Sequence, residues 1–198
     1  VEDGLQRRKN AGFQFALNLY NSSNRKRTLM SPDAGMRMKN SESSCSYTIG
    51  VISDTHGMMR QEVLDALQGS DLILHAGDVG GQEILDALEA IAPVYAVRGN
   101  MDGGAWAQRL PKTQWVEVGD MTIYILHDLD KLDLVPEAAG ISMVVSGHTH
   151  QWMENHRDGV HYLNPGSAGP RRFSRPVSLA IVHVDGDEIE IHPILLEP

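Results

Sequence analysis

The sequence predicts an α/β domain built as a four-layer α/β/β/α sandwich, with two mixed sheets face to face and helices outside. Three observations lead there. Between Tyr47 and Asn100, short apolar runs alternate with helical stretches on brief joints, the pattern of parallel strands linked by right-handed crossovers. The later half is richer in strands, with turn residues at Gly119-Asp120, Asp158-Gly159 and Asp185-Gly186, the wording of tight hairpins. No internal repeat and no second domain interrupts 47–198, so all of these elements are expected to share one core.

Taken in order, a strand at 47–53 leads to a helical stretch from about Arg60 to Leu67, whose Val63, Leu64 and Leu67 share a face. Asp71 to His75 is the next strand. A helix from about Gln82 to Ile91 buries Ile84, Leu85, Leu88 and Ile91, and Pro93 opens a strand from Val94 to Val97. Trp115 to Val118 and Met121 to Leu126 form a hairpin, followed by a weaker helix from about Asp130 to Ala139 and a strand from Ile141 to Val145. Strands at 151–156 and 160–164 pair through Arg157-Asp158-Gly159, and 177–184 pairs with 188–194.

At 198 residues the chain can bury a sizeable core. Its formal charge of −9 is uneven. Residues 1–46 carry eight Lys/Arg and four Asp/Glu, a balance of +4, and the remainder carries −13. An acidic domain argues against extended contact with a nucleic-acid backbone while leaving room for one phosphate group held by cations. Residues 1–46 read as a basic, Ser/Asn-rich extension, with one apolar cluster at Phe13 to Tyr20 and solvated linker at Arg25-Lys26-Arg27 and Ser41 to Ser46. A targeting peptide would share the basic, Ser-rich character, but Glu2, Asp3 and Asp33 weigh against it. The single cysteine, Cys45, excludes an internal disulfide and a thiolate-based zinc site, and fits a reducing compartment. No apolar run reaches the roughly 18–20 residues that span a bilayer. A soluble, cytoplasmic protein without membrane contact is expected, with association into homo-oligomers left open.

The first strand breaks into Ser53-Asp54-Thr55-His56-Gly57. On extended backbone, residues two apart point to the same side, so Asp54 and His56 are expected to face one way. Alone, such a pair is more often a polar turn. Three further apolar strands, however, end in glycine and then a ligand-type residue: Gly77-Asp78, Gly99-Asn100 and Gly147-His148. Glycine there permits backbone angles closed to other residues and a close approach of main chain. His148 and His150 repeat the two-apart spacing, and His127 ends a strand of its own. Seven oxygen and imidazole donors without sulfur suit a divalent transition metal, and open α/β sheets place their sites at the carboxyl ends of parallel strands.

Asp54-x-His56, Gly77-Asp78, Gly99-Asn100-x-Asp102, His127 and Gly147-His148-x-His150 resemble the five motifs of the calcineurin-like metallophosphoesterases. The length, and Leu163-Asn164-Pro165-Gly166-Ser167 with Pro170-Arg171, are similar to the YfcE-type phosphodiesterase branch. The resemblance covers about 47–194. It implies two divalent ions per chain, Mn²⁺ foremost, with Ni²⁺, Fe²⁺, Co²⁺ or Zn²⁺ as alternatives. Asp54, His56 and His150 would hold the first ion and Asn100, His127 and His148 the second, with Asp78 bridging. Ions about 3.5–4 Å apart would share a water of pKa near ~7 and supply hydroxide to a P–O bond. The resemblance also assigns catalytic roles to Asp78, Asn100, Asp102 and His148, and substrate contact to Asn100 and Arg171. The expected partner is a small phosphoester or nucleotide-like substrate.

Two departures from the family pattern stand out. Met101 occupies a place where many relatives carry a histidine thought to protonate the leaving oxygen, which favours groups that depart unprotonated, such as aryloxides. Asp128 follows His127 where glycine is common, and an extra carboxylate there could restrict the entrance. Asp102 is expected either to orient His148 or His150 or to close a turn. His75 reads as a buried structural histidine that could buttress the site, and His156, His161, His183 and His192 as sheet residues. Arg171 and Arg172 read as surface charges within reach of an anion, Arg98 as a charge that could pair with a neighbouring acid, and Trp106 and Trp115 as packing. The competing functions are a phosphomonoesterase or nucleotide hydrolase on the same site, and a non-catalytic scaffold. A eukaryotic trafficking subunit of this fold works through its surface, but a scaffold is free to lose ligands, and here all seven are retained.

Overall fold

A computed structural model describes residues 46–171 and 175–196. The extension read over 1–46 lies outside the described residues except for Ser46, which opens the first strand, and Arg172 lies outside them too. The elements are β1 (Ser46–Ile52), α1 (Gln61–Ala66), β2 (Leu72–His75), α2 (Gln82–Glu89), β3 (Val94–Ala96), α3 (Gly104–Ala107), β4 (Thr113–Val118), β5 (Met121–Leu126), β6 (Met143–Val145), β7 (Trp152–Arg157), β8 (Val160–Pro165), β9 (Val177–Asp185) and β10 (Glu188–Leu196). Every strand and the two longer helices begin and end within two residues of their expected bounds.

Two five-stranded sheets result, in the orders β10-β9-β1-β2-β3 and β4-β5-β6-β8-β7. Both are mixed. In the first, β1, β2 and β3 run parallel as the crossovers require, and the β9–β10 hairpin adds to β1 antiparallel. In the second, β5, β6 and β8 are parallel, and β4 and β7 close the edges antiparallel.

The layers follow from strand alternation. Ile49 and Val51 of β1, Leu72 and Leu74 of β2, and Ile123, Ile125, Met143, Val145 and Leu163 of the second sheet are all buried in one cluster between the sheets. The opposite face of the first sheet, with Ile73 and Leu179, packs on Val63 of α1, Leu67 just past its end, and Ile84, Leu85 and Leu88 of α2. Gly50 lets α1 sit close, since a Cβ there would lie 2.4 Å from Leu67 Cδ2. A third cluster, with Tyr124, Leu126, Val144 and Tyr162, covers the outside of the second sheet.

That outer layer corrects one expectation. The helix over Asp130–Ala139 does not form. Only a 3₁₀ turn at Leu129–Lys131 appears, started by Asp128 Oδ1 accepting the Asp130 amide at 3.2 Å. Pro136 has no amide to donate and disfavours helical angles at the residue before it. The segment keeps its apolar pattern nonetheless: Leu129, Leu132 and Leu134 pack on the third cluster. The single turn α3, hidden behind Gly103-Gly104, had no expectation. Among the described residues, no helix is long and apolar enough to cross a membrane.

Candidate metal centre

All seven candidate ligands lie just past the carboxyl ends of β1, β2, β3, β5 and β6, and the structure brings them together. Donor atoms of Asp54, His56 and His150 lie within 4.8 Å of one another, as do those of Asp54, Asp78 and His127. His56 Nε2 faces His150 Nε2 at 3.1 Å, and His150 Nε2 is 3.2 Å from Asp54 Oδ1. Asp78 Oδ2 is 3.9 Å from His56 Nε2 and 3.5 Å from His127 Nε2, so it faces both groups. Asn100 Oδ1 sits between two imidazoles, 3.0 Å from His127 Nε2 and 3.0 Å from His148 Nδ1.

The convergence does not arise from extended backbone. Strand β1 ends at Ile52, and Asp54 and His56 have φ of 55° and 48°. Asp78, His148 and His150 are also left-handed, at 52°, 71° and 54°. Six described non-glycine residues have positive φ, and five of them are these ligands. Such backbone costs about 1–3 kcal/mol per residue and persists where surrounding contacts over-determine it.

Those contacts are visible. Past the strand ends the 54–57 and 77–79 segments stay paired, through Asp54 N to Gly77 O at 3.0 Å, His56 N to Asp78 O at 2.9 Å and Gly57 N to Val79 O at 2.8 Å. The glycines act through space more than through angle. Of the three glycines that precede a ligand, Gly77 alone has positive φ (92°), whereas a Cβ on Gly99 would lie 2.1 Å from Asp78 Oδ1, and one on Gly147 would lie 2.8 Å from Asp54 Oδ2.

Residues without a role in the sequence reading, some of them in the Asn164-Pro165-Gly166-Ser167 stretch, complete the bracing. Ser53 Oγ lies 2.7 Å from Asp54 Oδ2 and 2.6 Å from the Gly166 carbonyl. Buried Asn164 donates to the Gly147 carbonyl at 2.6 Å and to Thr149 Oγ1 at 3.1 Å, and accepts from the Gly166 amide at 3.0 Å. Ser167 donates to the Asp54 carbonyl at 3.0 Å, and Arg175 donates to the Thr149 carbonyl between the two histidines. The Asn164-Pro165-Gly166-Ser167 stretch thus grips the loops carrying Asp54, His148 and His150.

Three sequence readings are corrected or narrowed. Asp102 does not orient a histidine: its two oxygens accept the Gly80 and Gly99 amides at 2.9 and 2.8 Å, tying two ligand loops together. Its visible part is to position those two loops. Asp128 is spent on the 3₁₀ turn and on Lys131 Nζ at 3.0 Å. Arg171 is exposed. Trp106 packs on the helical layer as expected, and half-exposed Trp115 stacks edge-on with Tyr124.

His75 is fully buried and unambiguous in its tautomer. Its Nδ1 accepts the Gly77 amide at 3.2 Å, which leaves Nε2–H to donate to Thr55 Oγ1 at 2.8 Å. Thr55 in turn donates to the Val79 carbonyl at 2.8 Å. Burial lowers the His75 pKa from 6.5 to about 4, against the opposing pull of Asp54 and Asp102. Below about pH 6.5 the unfolded chain binds a proton that the folded chain refuses until about pH 4. Stability is therefore full above that window and falls across it, by up to about 3 kcal/mol. Urea midpoints of metal-free protein at pH 7 and pH 4.5 should reveal this loss, and His75→Asn should abolish that part of it. Identical slopes for the two proteins would mean the imidazole is not held neutral.

The donor set fits divalent cations. Asp54 Oδ1 is fully buried and, although His150 Nε2 lies 3.2 Å away, makes no hydrogen bond, an orphan that burial makes expensive. His127 Nδ1 faces the Ala76 carbonyl at 2.8 Å, which places its proton there and leaves Nε2 as a lone pair toward Asn100 and Asp78, the arrangement typical of a ligating histidine. Burial raises the Asp78 carboxyl, but His127 and the Met101 amide outweigh it and hold the group below its usual range. Burial likewise lowers His127, and Asp78 with the Ala76 carbonyl outweighs it and raises the imidazole. The cluster calls for positive charge at its centre.

A sandwich of two mixed sheets with such a cluster across both sets of carboxyl ends defines a metal-binding phosphoesterase class. The chain belongs to the calcineurin-like phosphoesterase superfamily, whose family model matches residues 47–187. A probable metallophosphoesterase of Methanothermobacter thermautotrophicus is 34% identical over 154 residues, covering 72% of this chain and 88% of that protein. A predicted phosphoesterase from Streptococcus pneumoniae, solved by crystallography, aligns with TM-score 0.63 at 27% identity over 76% of this chain and 90% of its own. The same fold occurs in an archaeal phosphodiesterase (TM-score 0.64, 22% identity, 75% of this chain and 99% of that one) and in Vps29 from Entamoeba histolytica (0.60, 22%, 76% and 99%).

Proposed function

We propose that the protein is a phosphodiesterase that hydrolyses a P–O bond of a small phosphoester with two divalent cations. One observation carries the reading: seven oxygen and nitrogen donors converge, with the Asp54 Oδ1 orphan among them. Asp54, His56 and His150 would hold one ion, and Asn100, His127 and His148 the other, with Asp78 facing both. The bound cations supply Lewis acidity toward phosphoryl oxygens and make water acidic enough to act as a nucleophile near neutral pH. The chain's own part is to fix the donors. The Met101 amide, at 2.7 Å, holds Asp78 Oδ1, the Ala76 carbonyl sets the His127 tautomer, and Ser53 with the His148 amide orients Asp54 Oδ2. Asn100 and His148 lie on the exposed side of the cluster, where an incoming phosphoryl group would meet them.

Metal analysis of the purified protein, with aryl mono- and diesters assayed across added Mn²⁺, Ni²⁺ and Zn²⁺, tests the proposal. Diester turnover above monoester turnover supports it, and the reverse ranking points to a monoesterase or nucleotide hydrolase on the same residues. No turnover with any metal would favour the scaffold reading, which the likeness to Vps29 keeps in view.

Met101 is 67% exposed at the mouth of the cluster and cannot donate a proton. General-acid help is typically worth about 10²–10⁴-fold. Met101→His is expected to accelerate alkyl diesters more than aryl ones, and equal effects on both would show that leaving-group protonation does not limit the rate.

A further inference from the structure

The two sheets open at the amino ends of β5, β6 and β8, away from the ligand cluster, into a cavity of about 330 Å³. Three hairpin turns and the start of β6 line it, contributing Asp120, Ser142, His156, Gly159, His161 and Asp187. His156 of β7 and His161 of β8 are directly paired across the strands, and their rings lie 4.3 Å apart, tilted by 32°. We propose that this cavity is a second, separate metal site, in which His156 and His161 chelate one transition-metal cation and the Asp120 and Asp187 carboxylates balance its charge.

The chemistry favours a cation of that class. Paired cross-strand residues have Cβ atoms about 4.5–5.5 Å apart, which lets two imidazole nitrogens reach one ion at about 2.0–2.1 Å. His161 is half-buried, and burial, followed by the nearby His156, lowers its pKa, against the opposing pull of Glu154. His156 is exposed on the edge strand, so its ring can turn onto an ion held by its partner. Two aspartates disfavour phosphate or another anion in the same space. Imidazole nitrogen with carboxylate oxygen suits Zn²⁺, Ni²⁺, Co²⁺ or Cu²⁺ over Mg²⁺ or Ca²⁺. An ion here would pin the two strands of the β7–β8 hairpin at the end opposite the ligand cluster, with the Asp120 and Asp187 carboxylates lining the same cavity. The inference is independent of the hydrolytic reading.

The test is equilibrium dialysis of the full chain with Ni²⁺ alone, alongside the Asp78→Ala variant, in which the carboxyl-end centre is weakened. One ion is expected to remain on Asp78→Ala. Adding His156→Gln should weaken it at least tenfold, and His156→Gln with His161→Gln should remove it. His183→Gln with His192→Gln, which alters the exposed imidazole pair on β9 and β10, should leave it in place. Because His156 is exposed, the single variant is expected to fold, and circular dichroism checks this. An unchanged Ni²⁺ isotherm for His156→Gln, or an ion lost with His183 and His192 instead, overturns the proposal.

Discussion

Asp78→Ala is expected to lose most of its bound metal and nearly all phosphoester turnover. Asp78 is the one carboxylate that faces His56 of one donor group and His127 of the other, at 3.9 and 3.5 Å. Its second oxygen is held by the Met101 amide at 2.7 Å, which fixes the carboxylate between the two donor groups. Truncation leaves His127 without the charge that raises its pKa, and repulsion between adjacent cations would be unscreened. Removing one partner of a buried, paired charge typically costs about 3–5 kcal/mol, enough to reduce occupancy by orders of magnitude. Elemental analysis after dialysis, with a diester assay on the same sample, reads both effects. A variant whose carboxyl-end centre still holds two ions would show that Asp78 does not bridge.

The second large effect is expected at a residue that can bind nothing. Gly99→Ala places a methyl group 2.1 Å from Asp78 Oδ1 and 2.2 Å from the Asp78 amide. The carboxylate oxygen is held by the Met101 amide and the other contact is main chain, so the Asp78 loop must move. Overpacking of this kind costs about 1–3 kcal/mol, and here the displaced group is a ligand. Metal affinity should fall at least tenfold and the melting temperature should drop with or without metal. Gly103→Ala provides the control, since a Cβ there meets nothing within 4 Å. Wild-type melting and metal content in Gly99→Ala would contradict the close approach seen between the two loops.

Much of this centre was legible in the sequence because ligand chemistry is carried by residue type and order. Asp54, His56, Asp78, Asn100, His127, His148 and His150 each follow an apolar strand, and strands advertise themselves through runs such as Met121 to Leu126. The geometry was less legible. Alternation along a strand suggested why Asp54 and His56 face one way, yet both sit past the strand in left-handed backbone, and the agreement came from loop pairing that spacing does not encode. Asp102 shows the same limit, because its partners Gly80 and Gly99 are amides, which a sequence presents at every position. Asn164 stood out only through the resemblance and Ser53 only as part of the first-strand stretch, because their partners are largely main-chain carbonyls and amides. The helix over Asp130–Ala139 failed because its apolar spacing was real but served a loop packed on the outer sheet, with Pro136 preventing continuation.

The left-handed backbone at Asp54, His56, Asp78, His148 and His150 has a bearing on how this chain could be improved or degraded in the laboratory. At each place glycine would relieve strain of about 1–3 kcal/mol, so the positions that supply the donors are also those where the scaffold has most to gain by giving them up. A selection for heat tolerance alone would enrich glycine there and return sturdier molecules stripped of their ions. Stabilising this protein without emptying it requires scoring metal retention and melting together.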